Sequence, residues 1–253
     1  MGSNNKKTIP QPDMKVLYML SSARCAKCKK PLYITKGDSN VSNLSEMAHI
    51  YGEKPDAARY VEDMTDEYRQ SYANLMAMCP RCHKEIDDDE LRYTPEVLQK
   101  MKKEHEQEII QILENSINNV TNEELALTIK FLSKSCNLTS ATDDYTVITP
   151  FEKINKNSLS LQVANFIKMG LAIFPLIQDY INKQSNIDIN FAKNLKECFI
   201  EKYLKFKSQN MNSDVIFAEL WDFAKNGKTD NNSVAAALSV VSYFFLECDI
   251  FEK

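Results

Sequence analysis

Two Cys-x-x-Cys pairs stand far apart in this chain, Cys25-Ala26-Lys27-Cys28 and Cys79-Pro80-Arg81-Cys82. A thiolate is a good soft donor, and two intervening residues let the backbone turn its amides toward both sulfurs. Two such pairs can close one tetrahedral four-sulfur site, and the spacing predicts zinc. With every position filled by sulfur none is left for water, so the expected role is structural. A redox pair is the competing reading, although no thioredoxin-like pattern accompanies either motif.

Between and beside the pairs lie Glu46-Met47-Ala48-His49-Ile50, then Asn74, then His83 directly after Cys82. Closing the sulfur site would draw His49, Asn74 and His83 into one neighbourhood. A neutral imidazole at His49 can take a proton from water as the water attacks phosphorus. The Asn74 amide suits an orienting role, bonded to backbone or to His49. Zinc assembly would fix where the His83 ring starts, and we assign it to a second, divalent cation acting as a Lewis acid. The alternative is that His83 replaces a cysteine on zinc. Each histidine taken alone reads as structural; the three together do not.

The elements that must carry these residues are legible in outline. Asp13 to Ser22 predicts a short helix ahead of the first cysteine pair. Pro31 to Thr35 and Met47 to Ile50 read as strands, with a turn at Lys36-Gly37-Asp38 and a loop at Gly52 to Asp56. A short helical turn is expected within 66–74. Thr94-Pro95-Glu96 opens a long helix that runs to about Asn115–Asn119. Thr121 and Glu124 form a capping-box pattern for the next helix. After a polar loop at 139–144, helices are expected over 159–184, 188–207, 213–226 and 232–250, with Pro175 splitting the first. The last carries a wide apolar face that suits a bundle core or another subunit. Asp87-Asp88-Asp89-Glu90 is expected as a solvated turn and His105 as a surface residue. Cys136, Cys198 and Cys248 read as buried, reduced thiols.

The chain has 253 residues, 43% hydrophobic and 26% charged, enough for two ordinary domains. Its net charge of −4 divides unevenly: residues 1–60 hold ten Lys/Arg against five Asp/Glu, and 61–118 hold seven against fourteen. Lys27, Lys29, Lys30, Lys54 and Arg59 are the candidates for gripping nucleic-acid phosphates. With no basic helix or base-reading motif, weak intrinsic affinity for DNA is expected. No apolar run approaches the roughly 18 residues that span a bilayer, and Met1 to Lys7 lacks the core of a secretory signal. No membrane association and a cytoplasmic location are expected.

On the motifs Glu46 to Ile50 and Asn74 to His83, residues 13–115 resemble an HNH endonuclease domain, the ββα-metal (His-Me) finger with added zinc knuckles. The resemblance implies DNA phosphodiester hydrolysis with His49 as general base, Asn74 as orienting residue and His83 as ligand of a catalytic Mg²⁺ or Mn²⁺. One departure matters. Many members carry Asp or His just before the base as a second ligand, where this chain has Ala48. Glu46 or an acid from elsewhere must then complete the site, and three positions before His49 a strand would turn Glu46 to the opposite face. Ala237 to Lys253 resembles the C-terminal domain of bacterial ABC-ATPase three-component defence systems, the Lamassu group. There an effector, often a nuclease, works with an SMC-like ATPase and a small third subunit. That likeness implies antiphage immunity and a C-terminal half that docks onto the ATPase complex or onto copies of itself.

The expected fold class is α+β and mostly helical: a flexible N-terminus (1–12), a zinc-stabilised ββα-metal domain (13–118) and an all-α bundle (119–253). The competing readings are a stand-alone restriction-type HNH endonuclease and a non-catalytic zinc-knuckle DNA-binding module.

Overall fold

The computed structural model describes residues 9–36, 40–135, 149–247 and 250–252. The chain divides into two compact units, Met1–Ile110 and Gln111–Lys253. The turn at 37–38, the polar loop at 139–144, Cys136 and Cys248 lie outside the described residues.

The first unit opens with helix α1 (Gln11–Ser21), followed by the antiparallel pair β1 (Tyr33–Lys36) and β2 (Asn40–Asn43). A second antiparallel ribbon joins β3 (Glu46–His49) to β4 (Leu75–Met78), in the register Glu46↔Met78 to His49↔Leu75. Between these two strands the chain runs through an irregular loop, the short helix α2 (Asp66–Arg69) and a 3₁₀ turn (Tyr72–Asn74). Helix α3 (Pro80–Asp88) follows β4 directly, with Pro80 in its first turn, where a missing N–H costs nothing. Strand–strand–helix is thus the order around the candidate site.

Helix α4 (Pro95–Asn118) begins at Thr94 and Pro95 as expected and runs across the boundary between the units. Its first half braces the segment that carries Asn74. Lys102 Nζ donates to Tyr72 O at 2.5 Å and Leu75 O at 2.7 Å. Tyr72 Oη donates to Glu106 at 2.6 Å, and Asp13 of α1 accepts from Tyr72 N at 2.6 Å. Burial pushes Lys102 down to about 8, against the pull of Glu106 and Asp13. The core beneath is built from Leu17, Ile50, Leu75, Met78, Ile86 and Leu98.

The second unit is helical throughout its described residues: α5 (Asn122–Lys134), α6 (Pro150–Lys156), α7 (Leu161–Gly170), α8 (Phe174–Ser185), α9 (Phe191–Lys207), α10 (Ser213–Lys225) and α11 (Asn231–Glu247). Capping boxes Thr121/Glu124 and Thr149/Glu152 start α5 and α6. The expected split near Pro175 is present, as a 3₁₀ turn (Leu171–Ile173) with the proline in the first turn of α8. Among the described residues Leu161–Ser185 is long and apolar enough, by length and composition, to cross a membrane. α11 is buried on every side, packed by α5, α7 and α10. Gly170 lets α7 close on it, since a Cβ there would lie 3.0 Å from Leu238 O. The wide apolar face therefore closes the unit's own core.

Two expectations are corrected. Cys198 is buried and disulfide-bonded, not a free thiol. His105 is not a surface residue. It is 2% exposed on α4, with Lys29 Nζ 3.1 Å from its Nδ1 and its Nε2 buried. Burial first, then the Lys29 charge, pushes its pKa to about 4 from an ordinary 6.5. Between those values the unfolded chain binds the extra proton, so His105 contributes stability that is complete above pH 6.5 and lost as pH falls toward 4. Urea unfolding of wild type and His105→Leu across that range should separate by up to about 1.4 kcal/mol per pH unit, the slope lying with wild type.

Candidate metal centre and catalytic site

Each cysteine pair sits on a tight backbone turn. Cys25 N donates to Lys30 O and Lys29 N to Cys25 O, both at 2.9 Å. Lys29 takes a left-handed φ of 64°, which closes the knuckle at a cost of about 1–2 kcal/mol. Ala26 N donates to Ala77 O at 3.0 Å, tying this knuckle to β4. The second pair spans the joint between β4 and α3.

The four sulfurs lie within 4.8 Å of one another, Cys28 and Cys79 at 3.8 Å. Burial pushes the Cys28 and Cys82 thiols up. At Cys25 burial acts in the same sense, but amides of Cys28, Cys79 and Lys27 outweigh it and lower the value. Four crowded sulfurs of this kind ionise together only around a cation. The donor set suits a metal ion such as zinc in a closed, structural site. Loss of the ion should unfold this unit: a strong chelator, or Cys25→Ser, removes on the order of 10 kcal/mol. Metal analysis should find one zinc per chain, and circular dichroism after chelation should retain the helical signal of the second unit.

His49 ends β3, half-buried, with Nε2 sealed from solvent and without a hydrogen-bond partner among the described residues. Burial lowers its pKa; Glu53 and the Gln70 side chain oppose that, His83 adds to it and Asp87 opposes it. The two imidazoles are thus within electrostatic reach of each other. Asn74 is fully buried, and its side-chain hydrogen bonds go to backbone rather than to His49. Its Oδ1 accepts from Tyr51 N at 2.9 Å, and its Nδ2 donates to Tyr51 O at 2.9 Å and Arg69 O at 3.0 Å. Together with Ile50 N donating to Asn74 O at 2.9 Å, these bonds fix the backbone just past His49.

His83 lies in the first turns of α3, its ring between two carboxylates. Nδ1 is 2.8 Å from Glu46 and Nε2 3.2 Å from Asp87. Asp87 first, against burial and with Glu46 adding, raises the His83 pKa. Glu46 therefore faces His83 across β3 and α3, while Ala48 points into the core. Asp87, one helical turn past His83, was expected in a solvated turn and instead joins this cluster. The i to i+4 spacing on a helix was the available signal.

Arg59 corrects the phosphate-binding expectation. It is 9% exposed, and its guanidinium donates to Ile50 O at 2.9 Å, Ile86 O at 2.7 Å and Asp87 Oδ1 at 2.6 Å. Its own N–H donates to Glu90 at 2.9 Å. Arg59 thereby joins the loop after β3 to the end of α3. Arg69 does the same for the rest of that loop, donating to Gly52 O at 3.0 Å and Val61 O at 2.5 Å. Lys27 pairs with Glu85 at 2.5 Å and Lys29 with Glu108 at 2.8 Å. Lys30 and Lys54 are exposed. Gln70, which donates to Glu53 at 3.0 Å, carried no sequence signal.

No protein-family model matches the chain, and no curated protein matches it.

Arg59→Met should cost this unit about 3–5 kcal/mol in urea unfolding, because buried carbonyls and Asp87 lose their donor. Lys54→Ala should stay within about 0.5 kcal/mol of wild type.

Proposed function

We propose that the chain is a metal-dependent HNH-type DNA endonuclease. The observation that carries this reading is one arrangement: a half-buried imidazole kept toward its neutral form at the end of β3, with a second imidazole flanked by carboxylates on the adjoining α3. Neutral His49 would accept the proton of a water whose oxygen attacks phosphorus. The O–P bond forms, the P–O3′ bond breaks, and the departing oxygen takes a proton from solvent. A 5′-phosphate and a 3′-hydroxyl remain. Asn74 keeps the strand end in place, so that His49 is presented at a fixed angle.

His83, Glu46 and Asp87 form a nitrogen–oxygen donor set of the kind that Mg²⁺ or Mn²⁺ accepts. His83 with one of the two carboxylates would hold the ion, whose chemistry there is neutralising phosphate charge and stabilising the leaving oxygen. Glu46 and Asp87 supply the acid that Ala48 lacks. Arg59 keeps Asp87 turned toward His83 and, with His83, holds its carboxyl below the ordinary value despite burial.

We further propose, on the resemblance of the chain end, that the protein is the effector of an antiphage complex with an SMC-like ATPase and a small third subunit. Docking would then use exposed side chains of the second unit such as Phe151, Leu161, Ile187 and Ile189, since α11 is enclosed.

Purified chain should nick plasmid DNA with Mg²⁺ or Mn²⁺ and not without. His49→Ala and His83→Ala should each lose at least about 100-fold in rate while binding one zinc and folding normally. DNA binding without metal-dependent nicking, with or without the partner subunits, would leave the zinc-knuckle binding module as the better reading. Adding the ATPase and third subunit should raise cleavage; unchanged cleavage and no complex on size-exclusion chromatography would favour a stand-alone enzyme.

A further inference from the structure

We infer that His105 and Glu108 of α4 are the outer support of the candidate zinc site, holding the Lys29 side chain and through it the first cysteine knuckle in the shape the metal needs. The inference rests on the four sulfurs as a zinc site and is independent of the nuclease reading.

The knuckle turns on one strained residue. Lys29 follows Cys28, donates its N–H to Cys25 O at 2.9 Å and takes a left-handed φ of 64°. Glycine is the residue that adopts this conformation without strain. A lysine keeps the strain, so its side chain is the part to account for. Its Nζ lies 3.1 Å from His105 Nδ1 and 2.8 Å from a Glu108 oxygen. Three positions apart on a helix, His105 and Glu108 are neighbours on one face. One ammonium is therefore shared between two acceptors of α4.

An ammonium can only donate, so Nδ1 accepts, and the neutral ring carries its proton on Nε2. A protonated ring would set an N–H against the ammonium. His105 is 2% exposed, and an acceptor already fixed by packing loses little further freedom on binding Lys29. Glu108, half exposed, adds little alone in water but supplies the charge that a neutral imidazole lacks. The second knuckle is ordered by β4 and α3, which flank it. The first lies in a loop, tied to β4 by Ala26 and to α4 by Lys29. Two knuckles from distant parts of the chain must meet at one ion, and order imposed on the looser one beforehand slows the ion's departure.

The test is transfer of zinc from the loaded chain to a chromogenic chelator at neutral pH, read beside the ¹⁵N-edited imidazole spectrum. His105→Leu should speed zinc loss about 10- to 100-fold, and Glu108→Ala by less. His105→Asn, whose Oδ1 stands where Nδ1 was, should stay within about threefold of wild type. Lys29→Gly is the deciding variant, because it removes the backbone strain and the tie together. With a supporting side chain gone, zinc should leave about 10-fold faster or more. Zinc held as long as in wild type, or longer, overturns the inference, and so does a wild-type His105 ring protonated at Nδ1. Should His105→Leu fail to fold, Lys29→Gly and Glu108→Ala change half-exposed side chains and still give the answer. Neither readout needs DNA, so a zinc-bound chain that never cuts would remove the nuclease reading alone.

Discussion

Four sulfurs gathered within 4.8 Å are the constraint from which the first unit is built. Buried thiols crowd and repel once ionised, and remain together only if a cation takes their charge. The consequence reaches beyond the sulfurs, because the second knuckle is also the joint between β4 and α3. Whatever holds Cys79 and Cys82 holds the direction in which α3 leaves the ribbon, and with it the origin of His83. The Ala26–Ala77 hydrogen bond extends the same restraint to β4. A ribbon of two four-residue strands is too small to be stable by itself. Here it is stapled at one end by metal-type ligands and at the other by the Asn74 and Tyr72 contacts.

The two candidate imidazoles are given opposite proton affinities by their surroundings. Burial lowers the proton affinity of His49, while flanking carboxylates raise that of His83. A base must be neutral to accept a proton, and a group between two acids is placed for positive charge, whether a proton or a metal ion. The price is a loop with little regular structure between β3 and α2, and two buried arginines stabilise it. Arg59 occupies a left-handed φ of 58°, strained for a residue with a side chain. Its hydrogen bonds to Ile50, Ile86 and Asp87 are what offset that strain.

Local patterns announced much of this architecture. Metal-ligand spacing, capping boxes, Pro at helix starts and three-to-four periodicity each depend on residues close in sequence, and they located the cysteine cluster and most helices. What escaped depends on tertiary context. The helix α3 is hidden in the sequence because Asp87 to Glu90 reads as a charged turn; in the structure Asp87 faces Arg59 and His83 and Asp88 pairs with Lys84. Arg59 and His105 read as surface residues because their types favour it, and only the surrounding carbonyls and the packing of α4 make the interior acceptable. β2 and α6 were missed because each is short and weakly periodic.

The closing helix shows how far a pattern of apolar residues can be pressed. A run that is hydrophobic all round belongs in a core or at an interface, and sequence does not distinguish the two, since both bury it. Its neighbours decide. Ala235, Ala236 and Ala237 are small enough for α5, α7 and α10 to approach, and Gly170 admits α7 to the Leu238 carbonyl. Tyr243 and Phe244 stack edge to face, and Phe245 packs on Phe251. A resemblance carried by such a segment speaks for a shared bundle before it speaks for a shared partner. Of the described residues in that segment only Glu247 and Glu252 are left exposed, so a partner of this unit would meet chiefly side chains outside it.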